Sequence, residues 1–407
     1  MKLLTREERK FKVSVSENVR KRMAEGSWIR KMFEEGIVLK QRYGAENVFD
    51  LSLGNPIIEP PDELHNELKK LVEHPLPGMH RYMPNAGYDE TRTAVAEQLV
   101  LETGIKFTLD DIVMTCGAAG AMNVVLKTIL NQGDEVIIFA PYFAEYLNYV
   151  DNHGGIARIL PADEQFLPRL DTLEAGIGAK TRAVIINSPN NPSGAVYSED
   201  LIHQMGELIQ KKEAQYGKEI FLISDEAYRK IIYDGLKYPS PLHHHRQSII
   251  VTSHSKDLAL PGERIGYIAI HPDCRHREEL LDGFIFCNRT LGFVNAPALI
   301  QRLVRHLQST TVSIAWYQQK RDFLYNHLTE AGYSVAKPQG AFYMFPKSPL
   351  EDDVAFVGEL QKLKVLTVPG SGFGTPGYFR IAYCVDDRTL EGSIAGFREA
   401  IKKLGVG

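Results

Sequence analysis

The chain is poor in the residues that would staple or anchor it. Its 407 residues include only four cysteines, Cys116, Cys274, Cys287 and Cys384, and no two of them form a C-x-x-C pair. That scatter argues against a disulfide framework and against a cysteine-built zinc site. No apolar run reaches the ~20 residues that a membrane-crossing helix needs. The opening segment Met1–Lys10 mixes both charge signs without an apolar centre, so no secretory signal is expected there. Neither sign dominates the whole: 47 Lys and Arg stand against 51 Asp and Glu. An electrostatic footprint for nucleic acid or an anionic membrane is therefore missing, and the expected partners are small molecules. Internal repeats, low-complexity tracts and basic blocks are missing too. The expected location is the cytoplasm.

What is present is ordinary globular material, with 44% hydrophobic and 24% charged residues. That composition buries large cores, and the length suggests about two domains. Short apolar runs at Asp111–Met114, Glu135–Phe139, Ile156–Leu160, Ala183–Asn187, Ile220–Ser224, Ile249–Val251 and Ile265–Ala269 read as strands. Amphipathic stretches between them, among them Ala118–Leu130, Phe143–Asn152 and Ser198–Ala214, read as helices. The alternation predicts an α/β fold with a mostly parallel sheet covered on both faces. Residues 272–330 carry long helical periodicity with few breakers. The tail predicts a smaller α+β module, with strands at Ala341–Phe345, Val365–Val368 and Tyr378–Ala382 and helices at Asp352–Leu363 and Thr389–Leu404. Val15–Tyr43 reads as helical and is expected to pack on that module. The expected division is a large domain over 55–300 and a small one formed by both termini, 1–54 and 301–407.

The segment from Ser253 to Tyr267 carries the most chemistry. Lys256 stands among Ser253 and Ser255, with Arg264 eight residues on. A lysine at the end of a buried strand loses its proton more easily and becomes an imine-forming nucleophile. Short hydroxyls and a planar guanidinium are what a phosphate needs. An amine that attacks aldehydes, set beside a phosphate grip, suggests pyridoxal 5'-phosphate.

Further candidates fall at strand C-terminal ends, where open α/β sheets collect ligands. Gly117, Ala118, Ala119 and Gly120 join a strand to a helix, so their N–H groups can face an anion; tight turn packing explains them as well. In the turn-rich string Asn187–Gly194, Asn191 can aim its amide at a ligand oxygen. Asp225, just past a strand, suits a ring nitrogen, with Tyr228 on a phenolic oxygen; an acid so placed also caps helices. Phe143 suits either ring stacking or the core. His243–His245 is the one metal-like string, but adjacent side chains diverge. It reads as a solvated loop, and no metal is expected.

In order and spacing these motifs, with His80, Tyr82, Gly87 and Tyr88 upstream and Arg380 in the run Tyr378–Tyr383, resemble those of the fold-type I enzymes that use pyridoxal phosphate. The match is to the class I/II aminotransferases over roughly residues 45 to 400. The resemblance implies a three-layer, mostly parallel cofactor-binding domain with a smaller α+β domain. It implies that Lys256 holds the cofactor and shuttles a proton, that Asp225 pairs with the pyridine nitrogen, and that Asn191 and Tyr228 bind the 3-oxygen. Phe143 would stack on the ring. Ala118, Ala119, Ser253 and Arg264 would hold the phosphate, with Ser255 as a helper.

Tyr82 would reach the neighbouring subunit's cofactor in a homodimer with shared sites; otherwise it is a loop tyrosine. Arg380 would grip the substrate carboxylate against the backbone of Gly54, unless it serves in a strand-edge salt bridge. The implied activity is ping-pong transamination from an L-amino acid, aspartate favoured, to a 2-oxo acid such as 2-oxoglutarate. Some dicarboxylate-specific relatives place a lysine where this chain has Gly117–Gly120, which leaves aromatic and alanine donors as alternatives. Two further readings are a C–S β-lyase on the same fold and a cofactor-binding transcriptional regulator. Against the regulator, the pattern begins near residue 45 and leaves no room for a DNA-binding domain.

Overall fold

The structure is a computed structural model and describes residues 15–25 and 28–405. Twelve strands are labelled here in chain order. The first is β1 (Phe49–Asp50); seven more are β2 (Ile112–Thr115), β3 (Glu135–Ala140), β4 (Ile156–Pro161), β5 (Thr181–Asn187), β6 (Phe221–Asp225), β7 (Ser248–Ser253) and β8 (Gly266–Ile270). The last four are β9 (Tyr343–Met344), β10 (Val365–Leu366), β11 (Val368–Pro369) and β12 (Phe379–Ala382).

Strands β2 to β8 form one seven-stranded sheet in the order β2-β8-β7-β6-β5-β3-β4. The pairs within β7-β6-β5-β3-β4 are parallel, while β8 runs antiparallel to both β7 and β2. Alternate residues feed opposite faces. Val136, Ile138, Ile185, Ile223 and Val251 share a core with helices Gly117–Ile129 and Arg277–Thr290. Ile137, Phe139, Val184, Ile186 and Leu222 pack on the other face with helix Glu199–Tyr216. The expected α/β class and the covering of both faces are therefore observed. The register sets Asn187 beside Asp225, and Gly266 beside both Ser253 and Thr115, along one edge of the sheet.

The C-terminal residues build a further core, which Phe166, Tyr228, Ile231 and Tyr233 join from the larger unit. The sheet β11-β12-β9 is antiparallel and packs with helices Ile314–Glu330, Asp353–Lys362 and Asp387–Leu404. Strand β1 pairs in parallel with β10, which draws the N-terminal part of the chain into the same unit. Helix Trp28–Tyr43 joins it through Met32.

Several local expectations need correction. Val365–Val368 is two strands, because Val365 and Leu366 pair with β1 while Val368 turns to β12. The 272–330 region is three helices, Arg277–Thr290, Ala298–Val304 and Ile314–Glu330. Gly292, at a φ of 94°, and Pro297, at a helix N-cap, separate the first two. The N-terminal stretch is also divided. Helix Glu17–Glu25 reaches Asp151 of the larger unit through Asn18 at 2.9 Å and Arg22 at 3.3 Å, while Trp28–Tyr43 packs on the smaller one through Met32. The Met1–Lys10 expectation lies outside the described residues. His243 is exposed as expected, but His245 is buried, donates from Nε2 to the Ile220 carbonyl at 3.0 Å, and is pushed down to about 4 by burial. No group of metal-binding side chains occurs among the described residues.

Candidate active site

The edge of the sheet defined by the ends of β5, β6 and β7 opens into a cavity of about 280 Å³, lined by residues of both units. Beyond Ser253 the chain turns into a four-residue helix, His254–Asp257, which carries Lys256 to the cavity. Its Nζ donates to the carbonyl of Gly54 at 2.7 Å. Burial pushes the ammonium down to about 8; the thiol of Cys384 opposes this shift, and the guanidinium groups of Arg380 and Arg264 add to it. Gly54 is required sterically, since a Cβ there would fall 1.9 Å from the hydroxyl of Tyr343.

Asp225 ends β6 on the cavity floor. No helix follows it, so the capping alternative fails. One carboxylate oxygen accepts from the Tyr146 hydroxyl at 2.6 Å and the other from the Ala227 N–H at 3.3 Å. Desolvation raises its pKa to about 6 against these hydrogen bonds. Asn187 ties the neighbouring strand in: its Nδ2 donates to the Asp225 carbonyl at 3.0 Å, and its Oδ1 accepts from the Asn191 N–H at 2.8 Å. The Tyr228 hydroxyl lies 2.8 Å from that of Tyr343, and burial raises both phenols.

Arg380 projects from β12 and is buried at 2% exposure. It donates to Asn191 Oδ1 at 3.1 Å and to the Ser52 carbonyl at 2.6 Å, while its Nε has no partner. The rings of Tyr343 and Phe373 flank it at 4.7 Å and 4.8 Å. No salt bridge to it occurs among the described residues, so the strand-edge reading fails. A buried cation held only by neutral acceptors and ring faces is poised for an anion.

At the other end of the cavity, helix Gly117–Ile129 presents Ala118 and Ala119 in its first turn. The N–H groups there have no intrahelical acceptor, and the Cys116 side chain does not cap them. Gly117 has a φ of 72°, and a Cβ on it would meet the Arg264 guanidinium at 2.8 Å. Arg264 itself is exposed, with Nη1 on the Pro261 carbonyl at 2.9 Å. Ser253 and Ser255 complete this end, and Phe143 meets Tyr146 edge-on at 5.5 Å.

The structure thus gathers Gly54, Ala118, Ala119, Phe143, Asn191, Asp225, Tyr228, Ser253, Ser255, Lys256, Arg264 and Arg380 around one cavity. Tyr82 is not brought there: it stands 89% exposed on the surface of its own chain. Tyr146, Asn187, Tyr343 and Ser52 were not foreseen. Only Asn187, in the Asn187–Gly194 string at a strand end, had a local signal. A larger hollow of about 1020 Å³ lies near His243–His245, where Glu213 is paired with Arg275 and Glu219 with Arg182.

Residues 46–396 match the family model for aminotransferases of class I and II. The chain belongs to that family and is an enzyme of the transferase class. It is 30% identical over 360 residues to a probable aspartate aminotransferase of Methanocaldococcus jannaschii, covering 86% of this chain and 92% of the relative. A protein of Thermococcus litoralis named aromatic-amino-acid aminotransferase 2 is 31% identical over 397 residues, covering 94% and 97%. The crystal structure of an amino transferase from Eubacterium rectale superposes with a TM-score of 0.93 at 41% identity, covering 96% of this chain and 99% of that one.

Proposed function

We propose that this aminotransferase works with pyridoxal 5'-phosphate, takes its amino group from an L-amino acid with aspartate as the favoured donor, and passes it to a 2-oxo acid such as 2-oxoglutarate. The observation that carries the cofactor assignment is the composition of the cavity. An amine of lowered pKa, a buried carboxylate held by Tyr146, and an uncapped helix terminus beside Arg264 all line one space. These residues fit a small ring with an aldehyde, a basic nitrogen and a phosphate.

When bound, the cofactor supplies an aldehyde that captures amines and a ring that accepts electrons from the substrate's α-carbon. Lys256 would hold it and, once displaced by substrate, carry a proton to and from that carbon. Asp225 would keep the ring nitrogen protonated, and the Tyr146 hydrogen bond fixes its carboxylate in place. Asn191 and Tyr228 would bind the 3-oxygen, with Tyr343 bracing the tyrosine. Ala118, Ala119, Ser253 and Arg264 would hold the phosphate, helped by Ser255, and Phe143 would cover the ring. Arg380 would bind the substrate carboxylate next to Gly54.

The exposure of Tyr82 supports a homodimer in which the partner's Tyr82 completes the phosphate site. The proposed division remains a large domain over 55–300 and a small one over 1–54 and 301–407. The cores support it except at the seam, where Leu303, Val304 and Leu307 pack with the large unit and Phe166, Tyr228, Ile231 and Tyr233 with the small one; the stretches 1–14, 26–27 and 406–407 lie outside the described residues. The cytoplasm remains the proposed location; among the described residues no helix is long and apolar enough to cross a membrane.

Among the described residues three cations line the cavity, Lys256, Arg264 and Arg380, and each already has a role in this reading. None is left among the described residues for a distal carboxylate, and Ile29 adds an apolar wall. That observation favours an aromatic donor as the second reading. The test is a half-reaction screen: the cofactor-loaded protein is mixed with single amino acids and its visible absorbance followed. Loss of the bound cofactor's colour with aspartate, and its return with 2-oxoglutarate, is the expected result. Release of ammonia and pyruvate from cystathionine instead would overturn transamination in favour of β-elimination.

A further inference from the structure

Arg380 is held from behind by a chain of contacts that begins on a helix of the other terminus. Its Nη2 donates to the Ser52 carbonyl at 2.6 Å. Ser52 in turn donates to one carboxylate oxygen of Asp50, from Oγ at 2.7 Å and from its N–H at 3.2 Å. The other oxygen of Asp50 accepts from Lys40 Nζ at 2.9 Å. Both carboxylate oxygens are therefore committed, one to the segment that faces Arg380 and one to helix Trp28–Tyr43.

The helix is built for this contact. Gly36, one turn before Lys40, is buried, and a Cβ there would lie 3.1 Å from the same Asp50 oxygen and 3.0 Å from Leu366. Ile29, Met32, Gly36 and Lys40 recur at three-, four- and four-residue steps, so they form one stripe along the helix. At one end of the stripe Ile29 lines the active-site cavity; at the other, Gly36 and Lys40 close on Asp50.

We propose that Asp50 is a positioning residue that links this helix to Arg380, so that the helix which walls the cavity also sets the orientation of the carboxylate-binding guanidinium. The proposal rests on the reading of Arg380 as the group that receives the substrate's α-carboxylate. Asp50 touches no reacting atom; it acts through Ser52. Because Arg380 has only neutral acceptors, a shift of the Ser52 carbonyl leaves the guanidinium with Asn191 alone as a fixed partner.

The experiment compares L-aspartate with β-alanine, which keeps the amine and the distal carboxylate but lacks the α-carboxylate. Half-reaction efficiencies are measured for the cofactor-loaded wild type, Asp50→Ala, Ser52→Ala and Lys40→Met. In Asp50→Ala the preference for aspartate is expected to shrink by about tenfold, the scale of one hydrogen bond to a charged group, with the β-alanine rate unchanged. Ser52→Ala and Lys40→Met each remove one link and are expected to shrink it less. Calorimetric titration with 2-oxoglutarate, which needs no turnover, is expected to show the same weakening. Equal loss on both amines, or an intact preference in Asp50→Ala, overturns the relay. Lys40→Met, at a part-exposed position, decides the matter in the same way if Asp50→Ala does not fold. A wild type without preference for aspartate over β-alanine overturns the carboxylate role of Arg380, and the relay with it.

Discussion

Lys256 gives its ammonium to the carbonyl oxygen of Gly54, 202 residues away in sequence, at 2.7 Å. The bond joins the strand edge of the large unit to the segment that leads into the small one. It also holds the amine inside a space from which burial is driving its proton, down to about 8. The free amine is the nucleophile. The rate at which cofactor-free protein captures pyridoxal phosphate is therefore expected to rise with pH, with a midpoint near 8, in stopped-flow absorbance. A midpoint near the 10.5 of an ordinary lysine would contradict the buried setting.

Asp225 and Glu226 predict an unusual stability profile for the cofactor-free protein. Burial raises the first from 3.8 to about 6 and the second from 4.5 to about 7. Both carboxyls bind a proton more tightly folded than unfolded, so their contribution is complete below the unfolded values and is lost as pH rises through 6 to 7. Asp225→Asn removes the cost of one buried charge. At pH 8 it is expected to stabilise the cofactor-free protein by up to about 3 kcal/mol, the scale of two pKa units, and below the unfolded value by nothing. Urea unfolding across that range measures it, and a constant difference at all pH values would refute the assignment.

The phosphate end can be tested at a single atom. In Gly117→Ala the new methyl meets a backbone of positive φ and the Arg264 guanidinium at 2.8 Å. Both penalties act where the phosphate would be gripped, so the dissociation constant for pyridoxal phosphate is expected to rise by about tenfold or more. Inorganic phosphate should compete with the cofactor in the wild type and lose that ability in the variant.

Gly54→Ala and Tyr343→Phe should resemble each other. The first pushes on the Tyr343 hydroxyl and the second deletes it, and either breaks the 2.8 Å bond to Tyr228. The expected result is a shift in the pH at which the bound cofactor's visible absorbance changes, in the same direction for both. Shifts of opposite sign would show that Tyr343 does not act through Tyr228.

The parts of this molecule visible in the sequence are those whose physics is local. Strands β2 to β8 announced themselves as apolar runs, and Lys256 and Arg264 stand close together in one segment. Tyr146 and Tyr343 were invisible because each becomes important through a partner far along the chain, 79 residues away at Asp225 and 115 away at Tyr228. An isolated tyrosine in an apolar helix or strand reads as core. The splitting of Val365–Val368 was hidden for a similar reason: the partner of Val365 is Phe49, and nothing near residue 365 records that pairing. His245 misled in the opposite direction, since a polar run conceals that one of its members is turned inward.

The reversal of β8 has a bearing on the order in which the molecule can be put together. Ser253 and Gly266 pair across an antiparallel ladder, so Lys256 and Arg264 both lie within one short excursion closed at its base. Lys256 and Arg264 thus come together at the entropic cost of the single loop 254–265, and that cost rises only slowly with loop length. Asp225 and Arg380 must instead be gathered from separate strands of two sheets. Half of the site thus rests on one loop, and the other half requires both sheets to be in place.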